Sequence, residues 1–208
     1  MKNIPKIPDK VELIGKALIL KTPEEEDYPK YRDIFMNPKN NEFLRYRADL
    51  YDNWSLEKIR EVWHERLRAQ KLQKGLHLSF YLKKSGKLVG FGGFDKIDLS
   101  DGWAEYGLVV DHSSWGTIVT PEASFLMAQY AFEQLQLHRL ECTTLMENVR
   151  SRKVLEKSGI SLESVRKEAV FFDGEYIDQG VYVFFDRDWP EIKKKLLYII
   201  DRHSSSGR

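Results

Sequence analysis

The chain has 208 residues, 42% of them hydrophobic, and its 33 Lys and Arg against 32 Asp and Glu give a formal net charge of +1. That size and apolar share suit one ordinary domain and exclude a disordered chain, while the balanced charge gives no bulk attraction to nucleic acid. No apolar run approaches the roughly 18–20 residues of a membrane helix, so no membrane partner is expected.

Elements follow in chain order. Lys16 to Leu20 is a short β-like run. Thr22 can cap a helix from Pro23 to Met36, with Glu25 at the capping-box position, and Asn37-Pro38 breaks it. Ser55 caps a second helix, which places Leu56, Ile59, Trp63 and Leu67 on one apolar face. Leu78–Leu82 and Leu88–Phe94 form a hairpin around Ser85-Gly86, and a strand follows from Trp103 to Val110. The loop Asp111–Thr117 climbs into a helix, Pro121–Leu135, whose buried face is Ala123, Met127, Tyr130, Ala131 and Leu135. Next come a strand, His138–Leu145, and a helix, Asn148–Ser158, ended by Gly159. Two strands, Leu162–Phe172 and Tyr176–Phe185, turn at Asp173-Gly174, and a last helix after Asp188 carries the stripe Trp189, Ile192, Leu196 and Ile200. The tail from His203 is small and polar and reads as frayed.

This order predicts one mixed α/β domain with a parallel strand–helix–strand crossover from Trp103 to Leu145. Such crossovers bind ligands at the carboxyl ends of their strands. The loop before the second crossover element exposes unpaired amides and the positive end of a helix dipole, which suit a pyrophosphate, and Gly116 allows close approach. Taken alone, a Gly before a helix also reads as a plain turn.

Cys142 is the single cysteine, which excludes an internal disulfide framework and reads as a core strand residue. No His, Asp or Glu spacing suggests a metal site. His112 and His138 read as loop and packing residues, and His64 as a solvated one. Met1–Asp9 lacks the apolar stretch of a signal peptide, and a cytoplasmic location is expected.

Three segments carry a resemblance when taken together in order. They are Glu105-Tyr106-Gly107, then Trp115-Gly116 with Glu122-Ala123, then Asn148-Val149-Arg150-Ser151 with Val154-Leu155-Glu156-Lys157 and Gly159. With Gly174, Asp178 and Trp189 behind them, the chain resembles the GNAT superfamily of N-acetyltransferases over about residues 11 to 192. It looks most like the branch of the ribosomal-protein alanine and spermidine acetyltransferases. The resemblance implies a mostly antiparallel sheet of about seven strands with a splayed parallel pair, about four helices and a C-terminal helix. It also implies a single domain over 11–192, with 193–208 as helix end and flexible tail.

Acetyl-CoA is the implied donor, with no metal. Leu108, Val109 and Val110 would pair with its pantetheine arm, and Trp115, Gly116, Thr117, Ile118, Val119 and Thr120 would cradle the pyrophosphate. Asn148 would reach the CoA arm or act only as a helix cap, and Arg150 or Arg152 would approach the 3′-phosphate. Ile118 stands where the branch has a second glycine or alanine, and Leu155 where many relatives have a Tyr acid.

For the chemistry, Glu105 is the candidate base acting through water, or else a paired strand carboxylate. Ser151 is the candidate acid or water holder, or else a first-turn residue bonded to Asn148. The amide of Leu108 or Val109 is the candidate donor to the developing oxyanion. Glu42, Tyr46, Trp54, Phe94 and Trp103 are candidate acceptor-lining residues, an acidic and aromatic set suited to a cationic amine. The expected activity is acetyl transfer to a primary amine of a peptide or small molecule. The alternative is a GNAT-fold acyl-CoA-binding or regulatory module of weak turnover, and a homodimer is left open.

Overall fold

The first hairpin pairs β1 (Glu12–Ile14) with β2 (Leu18–Lys21) in the computed structural model, which describes residues 5–43, 54–172 and 174–205. Thr22 does not cap the following helix. Its Oγ1 instead accepts the Val11 amide at 2.8 Å and ties the N-terminal segment to the strand. The helix starts later because the Asp27 carboxylate takes up the Glu24 amide at 3.1 Å, around a 3₁₀ turn over Glu25–Asp27. Helix α1 (Tyr28–Met36) follows, and Pro38, which has no amide to offer, separates it from the single turn α2 (Pro38–Asn41).

Ser55 caps α3 (Leu56–Lys71) by accepting the Lys58 amide at 3.1 Å. Ile59 and Trp63 are buried, but Leu56 is exposed because its first-turn position points away from the sheet. Strands β3 (Leu76–Leu82), β4 (Leu88–Asp98) and β5 (Trp103–Val110) form a meander, with β4 running past its expected end at Phe94. After β5 come α4 (Val119–Gln129), continued by a π-helical turn over Tyr130–Gln134, and β6 (Arg139–Leu145). Helix α5 (Val149–Ser158) ends at Gly159, whose φ of 85° is the left-handed cap a glycine accepts without strain. Strands β7 (Ser161–Phe172) and β8 (Glu175–Phe185) lead to α6 (Trp189–Ser205), which stays helical over residues 203–205 of the tail expected to fray, the remainder lying outside the described residues.

The strands form one eight-stranded sheet in the order β1-β2-β3-β4-β5-β6-β8-β7, antiparallel throughout except for the parallel pair β5–β6. The strand beyond the expected seven is β1, three residues at the sheet edge. Two cores lie on opposite faces. Beneath α4 and α6, Phe80, Phe94, Tyr106, Met127, Leu140, Tyr182 and Trp189 pack together. Beneath α1 and α3, Tyr31 stacks on Trp63 with ring centroids 4.2 Å apart, and Phe91 meets both rings edge-on. Ile7 is buried in the first core, so packing reaches beyond residue 11 toward the N-terminus.

Candidate active site

The sheet opens in its middle. Strands β5 and β6 pair at Trp103–Arg139, Ala104–Leu140 and Glu105–Glu141. Past that point β5 continues beside β4, and β6 continues beside β8. A gap therefore lies between Tyr106–Val110 and Cys142–Leu145. The backbone groups that face it follow from ladder alternation. Asp111 N–H donates to Val89 O at 2.9 Å, and the register then makes Val109–Phe91 and Gly107–Gly93 the hydrogen-bonded pairs. The amides and carbonyls of Leu108 and Val110 point the other way, into the gap. The Val110 carbonyl is occupied by the Trp115 indole N–H at 2.9 Å.

The loop that closes the bottom of this gap is built by short polar links. Asp111 accepts the Ser113 amide at 3.0 Å, and Thr117 Oγ1 donates to Ser114 O at 2.7 Å. Gly116 has φ 71°, with open space around its α-carbon among the described residues, so the one left-handed residue of the loop is the one without a side chain. Ile118 sits in ordinary helical geometry, φ −61°, and its β-branch costs no backbone strain. Among the described residues the amides of Gly116, Thr117, Ile118 and Thr120 have no acceptor, as first-turn geometry requires. Val119 is buried, and its amide lies 3.3 Å from Thr117 Oγ1.

Helix α4 is fixed at this angle by Glu122, which is buried at 2% exposure. Its carboxylate accepts the Lys16 amide and, at 2.9 Å, the Ala17 amide, both in the turn between β1 and β2. On the other side, Asn40 holds the loop to α2. Its Oδ1 accepts the His112 amide at 2.7 Å, and its Nδ2 donates to Asp111 at 3.2 Å.

Across the gap, Asn148 caps α5 by accepting the Ser151 amide at 3.0 Å. The Ser151 hydroxyl has no protein partner among the described residues. The two arginines separate clearly. Arg152 turns inward, donating to Tyr182 Oη at 3.2 Å and Met146 O at 3.1 Å, with Glu156 at 3.8 Å. Arg150 sits over the Trp115 ring, its Cζ 3.4 Å from the centroid, beside the loop of free amides. Cys142 is buried, and desolvation pushes its thiol up to about 12, so it stays protonated and inert.

The opposite face of the sheet carries the acceptor candidates. Ala104 and Tyr106 face the α4/α6 core, so Trp103, Glu105, Gly107 and Val109 face the α1/α3 side. Glu105 is 19% exposed, with Lys96 Nζ at 3.2 Å. Trp103 is half-buried two residues back. Phe94 is fully buried in the α4/α6 core and does not line this face, because it pairs with Tyr106 across the β4–β5 ladder and so points to the same side of the sheet. Trp54 is likewise buried, stacked on Phe35 at 4.3 Å, and is a core residue rather than a lining one. Glu42 is exposed in the turn after α2, and Tyr46 lies outside the described residues.

The bulge supplies a carboxylate that sequence reasoning missed. Asp95 Oδ1 accepts a hydrogen bond from His77 Nε2 at 2.9 Å. Its Oδ2 lies 3.9 Å from where a Cβ on Gly107 would be. His77 is a histidine inside an apolar strand, Leu76-His77-Leu78, and that was the available signal. Burial, reinforced by the Arg66 charge, holds His77 below the usual imidazole value, and it donates to Asp95 as a neutral ring. Among the described residues no group of three or more His, Cys, Asp and Glu can hold a metal ion, and no helix is long and apolar enough to cross a membrane.

Comparison with known proteins bears on the family and the fold. Residues 17–161 match the acetyltransferase (GNAT) domain family. The chain is 26% identical over 181 residues, 85% of its length and 98% of the other, to the Bacillus subtilis (strain 168) protein named "Probable N-acetyltransferase YjcK". It is 26% identical over 110 residues to the ribosomal-protein-serine acetyltransferase of Escherichia coli (strain K12), covering 53% of this chain and 62% of that one. In fold it superposes on Mycobacterium smegmatis RimJ, solved in complex with CoA-disulfide, with a TM-score of 0.79 at 19% identity, covering 91% and 93% of the two chains. A GCN5-related N-acetyltransferase from Brucella melitensis gives a TM-score of 0.79 at 20% identity, covering 95% and 90%.

Proposed function

The chain belongs to the GNAT family of acetyl-CoA-dependent N-acetyltransferases, and from that premise we propose that it acetylates a primary amine by direct attack with both substrates bound at the gap between β5 and β6. The observation that carries this reading is the opening of the sheet beyond Glu105–Glu141, directly above a loop of unpaired amides. The donor set fits an anionic, amide-bearing ligand that needs few cations. The amides of Gly116, Thr117, Ile118 and Thr120 hold the pyrophosphate, and the Leu108 carbonyl and Val110 amide hold the pantetheine arm. Arg150 is the cation positioned beside the loop, because Arg152 is spent on Tyr182 and Met146.

Acetyl-CoA supplies an activated acyl group whose thioester carbonyl the amine attacks. Three groups of this chain serve that step. Glu105, on the acceptor face, takes the ammonium proton, directly or through a water, since only the free amine is nucleophilic. The Leu108 amide donates to the oxygen that gains charge. Val109 does not serve there, because its amide belongs to the β4 ladder. The Ser151 hydroxyl, without a protein partner among the described residues, relays to the departing thiolate the proton that the attacking nitrogen sheds as the amide forms. Leu155 occupies the helix position where a Tyr acid would stand, and it packs against the core.

The test is CoA release measured with a thiol reagent across protein N-terminal peptides, polyamines and small amines. Peptides belong in the panel because one relative is named for a ribosomal protein. Release with at least one amine is expected. No release with any acceptor, together with no calorimetric binding of acetyl-CoA, would overturn the proposal.

A further inference from the structure

We infer that Asp95 is a second carboxylate of the acceptor site, locked in place by buried His77, and that the acceptor therefore docks as a cationic ammonium between Asp95 and Glu105. This rests on the reading of the site as an amine acetyltransferase centre. The geometry has three parts. Glu105 and Gly107 lie two residues apart on the same face of β5, at the point where the sheet begins to open. Gly107 presents a bare α-carbon to that face, and among the described residues Asp95 Oδ2, at 3.9 Å, is the one atom beyond its chain neighbours that a Cβ there would approach. Among those residues the space over Gly107 is flanked by two carboxylates.

Asp95 is also held in a way an ordinary surface aspartate is not. Its side chain is about half exposed, yet its Oδ1 is bonded to an imidazole that is 7% exposed. His77 in turn packs edge-on against Trp63, with centroids 6.0 Å apart. One oxygen is fixed from below, and the other is left to face the opening. Burial works to raise the Asp95 carboxyl, but the His77 hydrogen bond and the Arg66 and Lys96 charges hold it below the usual carboxylate range. Lys96, which pairs with Glu105, is 70% exposed, so the lysine end of that pair is solvated and can swing away for an incoming ammonium.

The chemical consequence is a division of labour. Asp95 binds the charged amine and Glu105 deprotonates it. Asp95 touches substrate, whereas His77 is a positioning residue that acts through Asp95. The site then favours strongly basic primary amines over amines that are neutral at pH 7, such as alkoxyamines or hydrazides.

The experiment compares kcat/KM for a cationic primary amine and for an alkoxyamine of matched shape, in the wild type, Asp95→Asn, His77→Gln and His77→Phe. Asp95→Asn is nearly isosteric and sits at the surface, so it keeps the fold, which a thermal melt checks. The expected result is an about tenfold fall in the ratio of cationic to neutral kcat/KM in Asp95→Asn, carried by KM for the cationic amine. His77→Phe, which removes the donor to Asp95, moves the ratio the same way. His77→Gln, which retains an N–H donor, restores it toward wild type. An equal loss for both acceptors, or an unchanged ratio in Asp95→Asn, overturns the anchor while leaving acetyl transfer intact. A wild type that binds CoA but releases none with any amine overturns the anchor and the underlying reading together.

Discussion

The two sides of the sheet solve their binding problems with different materials. On the proposed donor side, the groups that face the gap are main-chain ones: the Leu108 and Val110 backbone and the amides at the start of α4. On the proposed acceptor side, the groups are side chains: Glu105, Asp95 and the His77 that holds Asp95. A backbone site tolerates almost any side chain, provided the frame is kept. A side-chain site is specific but exposed to every substitution. The contrast explains why Ile118 can replace a small residue without straining the loop, and why one substitution at Glu105 should disable the reaction.

Glu105→Gln gives the largest effect. It removes the proposed base but leaves the proposed donor side whole, so kcat should fall about a hundredfold or more while calorimetry shows unchanged CoA affinity. Equal loss of CoA affinity would break the separation of the two sides. Next, Glu122→Ala strands two amides of the β1–β2 turn and should cost about 2 kcal/mol in urea unfolding. Gly116→Ala forces a side chain into φ 71°, a penalty of about 1–2 kcal/mol, and should weaken CoA binding about tenfold. Ile118→Gly, in helical geometry, should change that affinity far less.

Arg150→Ala should raise the Kd for CoA severalfold, whereas Arg152→Ala should leave it alone and lower the melting temperature instead. The smallest effect concerns pH. Because burial depresses the folded His77 value, the unfolded chain takes up a proton at a higher pH than the folded one does. Stability from this group is full above the ordinary value of about 6.5 and is lost as pH falls below it. Asp95 has a depressed folded value too, and its contribution is lost in a second, more acidic window, below the ordinary carboxylate value. His77→Gln should flatten the first limb, read as melting temperature between about pH 7.5 and about pH 5.

The same contrast decides what the sequence revealed. The helices and strands were legible because their apolar spacing is regular, as in Trp189, Ile192, Leu196 and Ile200, all buried in α6. The loop of unpaired amides was legible because Gly116 and the following helix mark such amides by position alone. Side-chain placement on the acceptor face was not. Strand β4 is buried from Leu88 to Phe94 on both faces, so no alternation shows which way Phe94 points. Trp54 carries no local sign that it stacks on Phe35, a contact made across 19 residues of chain. Arg150 and Arg152 lie on one helix, and only the fold decides which meets Trp115. Asp95 and His77 are 18 residues apart and meet through hairpin register plus a bulge, which local pattern does not encode.

The most direct measurement is a crystal structure of the chain with CoA. The account predicts the pantetheine arm between β5 and β6, bonded to the Leu108 and Val110 backbone, with the pyrophosphate on the amides from Gly116 to Thr120 and Arg150 beside it. CoA bound outside that gap, or the pyrophosphate held by Arg152 with the loop amides free, would contradict it.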